Sequence, residues 1–467
     1  MVWKIAGVVM LGPLMTTLDS TVVNISLSTL GKELNAPLTL IQWVTTGYLL
    51  ALALMLPLSG WLVDRVGAKR IYLGCFTVFT LASMLCGIAG SANELIAARM
   101  LQGAAGGLLA PMAQMMLARI AGRNLARVMG IAVMPVLIGP ILGPALAGFV
   151  LQHAGWRWLF YINLPVGIAA VLFAWYILPR DGHETVRRPF DLLGFMLLSP
   201  AIVMSLHGLE ALANGAATYT HAELAAAVAL LIAFFWHGAR RGGEALIDLR
   251  LFRTRTFSAA AATQFLSNGV LLAGQMLFPL YLLTAGGRSP AETGLLFAPT
   301  GLGLLCMYPM MGRLTDRFGP RRVSSGGAIV ALLGTLPFAV FDVAHMPTAA
   351  ICVLFFIRGL GFSCINLPSL SAAYAAIPKA SIPVATTALN ICQRLGGPVA
   401  TTGLVVFLHA QLGATASGGS EAYLSTLRLF CVIQALCAAA AMFLPMRTAK
   451  EPAGEVVSKL AVEAVAE

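Results

Sequence analysis

Charged residues are scarce in this sequence: they make up 10% of the 467 residues, against 58% hydrophobic residues and a mean hydropathy of +0.84. A soluble domain fills its core with far less apolar side chain than this. About 20 consecutive apolar residues are enough for a helix to cross a bilayer. The composition therefore excludes an ordinary soluble protein and predicts an integral membrane protein that crosses the bilayer many times.

Motifs for several kinds of chemistry are missing as well. The eight cysteines form no CxxC pair and fall within apolar segments, so we interpret them as small packing residues. The seven histidines show no metal-ligand spacing such as HExxH, and the sequence has no GxxxxGK[ST] loop for ATP. No nucleophile, base and orienting group stand at a recognisable spacing. We therefore expect no metal site, no cofactor and no enzyme activity.

Fourteen apolar windows of membrane-spanning length follow one another along the chain. The first window follows a basic residue, as in a signal peptide, but no small-residue cleavage site comes after it. We interpret it as the first membrane helix. The windows lie at 5–27, 40–63, 71–90, 94–117, 128–151, 158–178, 190–212, 221–239, 257–283, 291–312, 323–343, 347–370, 382–410 and 422–446.

The net charge of +11 could indicate a nucleic-acid partner, but the placement of the 30 lysines and arginines argues against one. With a cytoplasmic N-terminus, most of them fall in cytoplasmic loops and few fall outside. This asymmetry is typical of membrane proteins, whose basic loops stay inside. Three arginines lie within windows: Arg99, Arg358 and Arg394. We therefore predict a multi-pass protein of the cytoplasmic membrane with both termini inside, in contact with lipid and not with nucleic acid.

Two loops have nearly the same sequence, GWLVDRVGAKR at 60–70 and GRLTDRFGPRR at 312–322. Both fall on the cytoplasmic side, so the chain contains two parallel halves. The two copies are too far apart for six helices alone, and two inserted helices account for the difference. The predicted domains are an N-terminal six-helix bundle at 1–180, two inserted helices and a linker at 181–256, a C-terminal six-helix bundle at 257–446 and a cytoplasmic tail at 447–467.

The repeated loops are candidates for a cytoplasmic gate. Asp64 could pair with a basic residue such as Arg123, or cap a helix, and release that contact when the gate opens. The alternative is a basic loop that only anchors the topology. The matching residues are Gly60, Asp64, Arg65, Gly67 and Arg70 in the first copy and Asp316, Arg317 and Gly319 in the second.

Together with RMLQGAAGG in the fourth window and GPILGPALAG in the fifth, these loops resemble those of the major facilitator superfamily. LDSTVVNISL, QWVTTGYLLA and the number of windows resemble its branch of drug:proton antiporters with fourteen helices. The resemblance implies an all-α membrane fold of two six-helix bundles plus two inserted helices. It also implies an antiporter motif at Gly139, Pro140, Gly143 and Pro144. Without the family, this stretch predicts only a close-packed helix bent by prolines.

Asp19 lies in the middle of the first apolar window. A charge at this depth costs at least about 2.5–3.5 kcal/mol, so it predicts a functional group. Burial disfavours a charged carboxyl and a nearby guanidinium favours it, so a conformational change could make Asp19 bind or release a proton. We expect Asp19 to carry the coupling proton and Arg99, which stays charged, to modulate it. The alternative is that Asp19 only pairs with a basic group to fix helix packing.

Polar residues elsewhere in the windows are candidates for a central substrate cavity. The 20 methionines and 23 phenylalanines could supply adaptable apolar walls, and Asp19 could attract a cation. The ninth window has no acid in the place of Asp19. Whether Arg358 and Arg394 act in function or in helix pairing stays open. The cavity candidates are Asn24, Gln42, Tyr48, Gln102, Gln264, Asn268, Gln275, Asn390 and Arg394.

The sequence thus predicts a secondary antiporter that exports hydrophobic or cationic drugs by alternating access, with the proton as coupling ion. Its expected partners are the small-molecule substrate and lipid. We expect a monomer that could bind periplasmic adaptor proteins. One alternative is a dedicated exporter of one metabolite, such as a siderophore, a sugar or an amino-acid derivative. Another is a membrane sensor without transport, which the intramembrane charges disfavour.

Overall fold

Helices account for most of the described chain, which comprises residues 2–121, 124–179, 189–213, 215, 219–414 and 419–446 of a computed structural model. The first half has ten helices, of which two are single turns. These are α1 (Val2–Glu33), α2 (Leu38–Ile41), α3 (Trp43–Met55), α4 (Ser59–Val66), α5 (Ala68–Ile88), α6 (Ala92–Ala121), α7 (Leu125–Ala132), α8 (Met134–His153), α9 (Trp158–Tyr161) and α10 (Asn163–Ile177).

Two long helices precede the second half. They are α11 (Leu192–Ala213) and α12 (Thr220–Arg241). The second half comprises α13 (Arg255–Thr284), α14 (Pro290–Met307), α15 (Met311–Phe318), α16 (Pro320–Val340), α17 (Thr348–Ala375), α18 (Ile382–Ala414) and α19 (Gly419–Met442).

Thirteen helices of the described chain are long and apolar enough to cross a membrane. Each coincides with one of the windows predicted from the sequence. The fifth window is the exception, because there the chain forms two helices, α7 and α8, that meet at Val133. The break comes just before Pro135, whose ring excludes a backbone N–H from the ladder. The all-α membrane fold is therefore confirmed, whereas the count of fourteen is not matched exactly.

The two repeated loops adopt the same backbone conformation. Gly67 ends α4 with a φ of 101°, and Gly319 ends α15 with a φ of 82°. Both angles lie in the region that side chains with a Cβ rarely adopt, which explains why each copy has glycine there. In each copy the next helix begins directly after the glycine. We call the end of the molecule that carries these loops the motif end.

The most extensive contacts between the two halves are at the motif end. Helix α18 packs against α4 and α6, and α7 packs against α15 and α17. Glycines permit the close approach: a Cβ on Gly60 would lie 3.0 Å from the carbonyl oxygen of Pro383, and one on Gly130 would lie 2.6 Å from that of Tyr308. The halves are therefore in contact at the motif end in this conformation.

The inserted helix α11 lies along both halves. The Ser199 hydroxyl donates to the carbonyl of Leu54 in α3 at 3.0 Å, and Thr402 of α18 donates to the carbonyl of Leu209 at 2.9 Å. At the motif end, Asp191 joins α11 to α12 by accepting from His237 at 2.8 Å. These contacts attach the inserted pair to the seam between α3 and α18.

Candidate functional site

The buried carboxylate of Asp19 is the centre of a polar network inside the first half. Its side chain has no exposed surface, and its Oδ2 accepts from Nη1 of Arg99 at 2.5 Å. Its Oδ1 accepts from Nε2 of Gln102 at 3.1 Å and from Nδ2 of Asn163 at 2.9 Å. A buried carboxylate with a guanidinium and two amide donors is well compensated. The structure thus brings Asp19 and Arg99 together, while their role in proton coupling stays a prediction.

Arg99 is held by more than the acid. Its Nε donates to the carbonyl of Val44 at 3.2 Å, and its Nη1 also donates to Gln102 at 2.7 Å. The ring centre of Tyr48 lies 4.1 Å from its Cζ, which adds a cation–π contact. Two buried atoms in this group, Nη2 of Arg99 and the Tyr48 hydroxyl, have no hydrogen-bond partner among the described residues.

Tyr48 connects this network to the gap between the halves. It lies near Arg394 of α18, which belongs to the second half and has a partly exposed side chain. Two predicted cavity residues, Tyr48 and Gln102, are therefore packed around the Asp19 ion pair and do not line the cavity described below. Their assignment to a substrate cavity stays a prediction.

A cavity of about 140 Å³ lies between the halves nearer the motif end. Two of the candidate residues, Gln264 and Asn390, line it, and Asn268 donates to the backbone carbonyl of the lining residue Gln393 at 2.6 Å. Across it, Nδ2 of Asn390 donates to Oε1 of Gln114 at 2.8 Å, which joins α18 to α6. Asn24, Gln42 and Gln275 are exposed and do not line this cavity.

Asp19 does not face this cavity. Gln114 and Arg99 both lie on α6, fifteen residues apart, which corresponds to about 20 Å along the helix axis. The prediction that Asp19 attracts a cationic substrate requires its carboxylate to face the cavity. In this conformation the carboxylate is instead enclosed by its three donors. Of the described residues that line this cavity, five carry amide side chains, one is methionine and none is phenylalanine.

The predicted antiporter motif lies on α8, beside α1. A Cβ on Gly139 would lie 3.2 Å from Cγ2 of Thr17, and one on Gly143 would lie 2.7 Å from Cγ2 of Thr21. Pro140 and Pro144 belong to the same helix. The small residues therefore allow α8 to pack tightly on the helix that carries Asp19.

The repeated loops differ in their surroundings. Asp64 is 5% exposed, whereas Asp316 in the second copy is exposed. The side chains of Arg65, Arg70 and Arg317 are exposed as well. The predicted partner Arg123 lies outside the described residues, so that pairing stays a prediction.

A hydrogen bond between two hydroxyls crosses the interface at the motif end. Ser59 of the first half and Thr387 of the second are 2.8 Å apart and buried. Thr387→Val should leave the Ser59 hydroxyl unpaired, at a cost of about 1–3 kcal/mol to this conformation. We expect the population open at the motif end to rise about tenfold or more. Distances between spin labels on the motif ends of α4 and α18 would measure this change.

The matched control is Thr386→Val, on the neighbouring residue of the same helix. Thr386 bonds to the Tyr374 hydroxyl at 2.8 Å, within the second half, so its loss should not change the label distances. If both variants shift the distances equally, the contact between Ser59 and Thr387 has no particular role in closure.

Arg358 is buried without an acid. All three of its guanidinium nitrogens lack a hydrogen-bond partner among the described residues. The ring centres of Phe278 and Phe362 lie 4.6 Å and 4.7 Å from its Cζ, and that of Phe430 lies 5.8 Å away. Gly274 of α13 lies directly against its Nη2. Arg358 is thus enclosed by aromatic rings within the second half.

Sequence reasoning missed Asn163, which donates both to Asp19 and, at 3.1 Å, to Ser83 of α5. Asn163 is the first residue of α10, directly after the single turn of α9. A polar residue at the edge of a predicted window looks like a helix cap. The one signal for Asn163 in the sequence was an amide beside an otherwise apolar run.

The chain is similar to known proteins over most of its length. A family model described as Major Facilitator Superfamily matches residues 9–401. A multidrug resistance protein B homolog of Mycobacterium tuberculosis (strain ATCC 25618 / H37Rv) is 35% identical over 428 residues, covering 88% of this chain and 78% of the relative. The putative multidrug resistance protein MdtD of Serratia proteamaculans (strain 568) is 32% identical over 455 residues, covering 96% and 94%.

Solved structures support the fold. The proton:xylose symporter XylE bound to 6-bromo-6-deoxy-D-glucose has a TM-score of 0.64 at 16% sequence identity, with 94% of each chain covered. The human organic anion transporter MFSD10 has a TM-score of 0.62 at 14% identity, covering 93% of this chain and 99% of that one. At these identities the likeness concerns the fold alone.

Proposed function

Because the chain belongs to the Major Facilitator Superfamily, whose members are transporters rather than enzymes, we propose that it is a secondary exporter of drug-like compounds driven by protons. The relatives named as multidrug resistance proteins support export of such compounds. The observation that carries proton coupling is the buried pair of Asp19 and Arg99, the one carboxylate that the described chain buries far from a helix end. A charge so costly to bury is retained where it acts.

The pair can act as a switch between two conformations. In the present one Asp19 is ion-paired and closed off from the cavity. A proton on Asp19 would neutralise the carboxylate and remove most of its attraction for Arg99. The freed guanidinium would then need new partners, and the route toward them runs past Tyr48 to the gap between the halves. Proton uptake would in this way favour a different packing of α1 against α6.

The orientation follows from charge. Basic side chains such as Arg65, Arg70 and Arg317 are exposed at the motif end, and basic loops face the cytoplasm. The present conformation would then be closed toward the cytoplasm. We place the protein in the bacterial cytoplasmic membrane, with both termini inside, as a monomer that needs no cofactor besides the proton. Periplasmic adaptor proteins are its candidate partners.

The experiment that tests this function measures proton release from inverted vesicles. Vesicles with the wild-type protein are acidified inside, and a panel of drugs and metabolites is added one at a time. We expect compounds that are exported to release protons from the lumen, because uptake of compound is exchanged for H⁺. A protein that moves compounds without any proton movement would contradict the proposal.

A dedicated exporter of one metabolite is the second candidate. The size and lining of the cavity favour it, because about 140 Å³ lined by hydrogen-bonded amides suits one particular group better than many. A panel in which a single metabolite releases protons would support this candidate. Several unrelated active compounds would support multidrug export.

A further inference from the structure

The cavity between the halves is lined by side-chain amides from both of them. Gln114 of α6 contributes from the first half, and the second half contributes Gln264, Asn366, Asn390 and Gln393. Each amide carries an acceptor oxygen and a donor nitrogen, so five of them offer both kinds of group in a small space. The other lining residues are apolar, apart from Tyr308: Met129, Val133, Leu367, Leu370 and Leu389. A lining of amides and apolar side chains suits uncharged groups that form hydrogen bonds.

Part of this hydrogen-bonding capacity is already used within the protein, and part is not. Asn390 donates to Gln114 and to the carbonyl of Thr386, which leaves its Oδ1 as an acceptor. Gln264 donates to Asn366 and Ser369, which leaves its Oε1. The side chain of Gln393 makes no hydrogen bond to any residue in the described ranges. Fixed acceptors beside an unengaged amide are suited to a ligand with both hydroxyl and carbonyl groups.

The electrostatics of the cavity disfavour cations. None of the residues that line it is acidic. Arg394 lies one turn beyond Asn390 on α18, so the two share a face, and it directly follows the lining residue Gln393. Within the part of the chain that the structure describes, Arg394 forms no ion pair. Its guanidinium is charged at any working pH, so a positive charge stands beside the cavity without compensation.

We infer that this cavity is a subsite for uncharged compounds that bear hydroxyl and carbonyl groups, and that Arg394 excludes cations from it. The inference rests on the proposed export function, whose substrate class it narrows. Because drug-sized ligands occupy pockets of about 300–1,000 Å³, the cavity of about 140 Å³ holds only the polar part of such a compound. The remaining part extends into the gap between the halves.

Equilibrium binding to the purified protein tests the subsite without relying on transport. The probes are chloramphenicol, which is uncharged and carries hydroxyl and amide groups, and tetraphenylphosphonium, a permanent cation. We expect wild type to bind chloramphenicol at least about tenfold more tightly, because Arg394 repels the cation at short range. Equal or tighter binding of tetraphenylphosphonium would overturn the inference, and so would binding of neither probe.

Three variants test separately whether Arg394 excludes cations and whether the amides bind the uncharged compound. Arg394→Gln should raise the affinity for tetraphenylphosphonium about tenfold and leave chloramphenicol within about twofold. Arg394→Lys keeps the charge and should retain the discrimination. Gln393→Leu breaks no described side-chain bond, and it should weaken chloramphenicol about fivefold or more through lost hydrogen bonds, with no change for the cation. Unchanged chloramphenicol binding in Gln393→Leu would overturn the role of the amides.

Proton release in inverted vesicles, measured with the same two probes, shows whether the proposed export function or the subsite assignment is wrong. If chloramphenicol binds as expected but no compound releases protons, the proposed function fails and the subsite stands. If compounds release protons but cations bind and move best, the export function stands and the subsite assignment is wrong.

Discussion

Asp19→Asn is expected to abolish proton release from inverted vesicles, reducing it to the background of vesicles without the protein. The amide keeps the shape of the carboxyl but cannot take up a proton in the working range. Binding of substrate to the purified variant should persist, since the cavity lies about 20 Å along α6 from the pair. Substrate-evoked proton release that survives in the variant would remove Asp19 from the coupling role.

A loss of function in this variant could also come from instability, because Arg99 would then be buried without its acid. Removing one member of a buried pair typically costs about 3–5 kcal/mol. The double variant Asp19→Asn with Arg99→Met removes both charges and should recover most of the thermal stability. If the pair serves only packing, the double variant should transport again. If Asp19 carries the proton, it should fold, bind substrate and remain uncoupled.

Replacing each of two buried arginines by methionine should change the free energy of unfolding in opposite directions. Arg99→Met leaves the Asp19 carboxylate with amide donors only, and we expect the free energy of unfolding to fall by about 3–5 kcal/mol. Arg358→Met removes a guanidinium whose nitrogens have no hydrogen-bond partner among the described residues. We expect stability to rise by about 1 kcal/mol or more, because unpaired buried donors are costly. Thermal unfolding in one detergent measures both changes.

Methionine is the same choice at both positions, since its unbranched chain fits irregular space. A difference in stability between Arg99→Met and Arg358→Met therefore reports the different partners of the two guanidinium groups. The contacts of Arg358 with three phenylalanine rings oppose the expected gain. An equal loss of stability in the two variants would mean that these rings compensate its charge as fully as Asp19 compensates Arg99.

Much of the fold could be predicted because the bilayer imposes it. Apolar runs must reach about 20 residues to span, so the windows located nearly every long helix. The repeated loop was visible because a glycine with positive φ, Gly67 or Gly319, is required at the same place in each half. The fifth window was less accurate, because a hydropathy window does not show whether a proline such as Pro135 bends a helix or breaks it, as it does at Val133.

The site was only partly predictable, for a related reason. Asp19 and Arg99 could be singled out because charged residues are rare in the apolar windows. A helix that is apolar on all sides, however, gives no indication of which face it turns toward its neighbours. Arg358 and Arg394 look alike in sequence, yet one faces phenylalanine rings of its own half and the other stands near Tyr48 of the opposite half. Gln102 and Tyr48 were candidates for the cavity, and in this conformation they pack around the ion pair. Asn163 was not recognised at all.

The first half carries Asp19 in α1, whereas α13 of the second half contains no acidic residue. This difference limits the energy that the proposed transport cycle can draw from protons. In the proposed cycle one titrating acid in one half allows one H⁺ for each uncharged molecule exported, so each turnover moves one elementary charge across the membrane. A potential of 100 mV contributes about 2.3 kcal/mol to that step, enough for a concentration ratio of roughly fiftyfold. The membrane potential and the pH gradient would thus set the largest concentration ratio that such a pump can maintain. Resistance conferred by the pump would be lost when the membrane is depolarised and the pH gradient is removed.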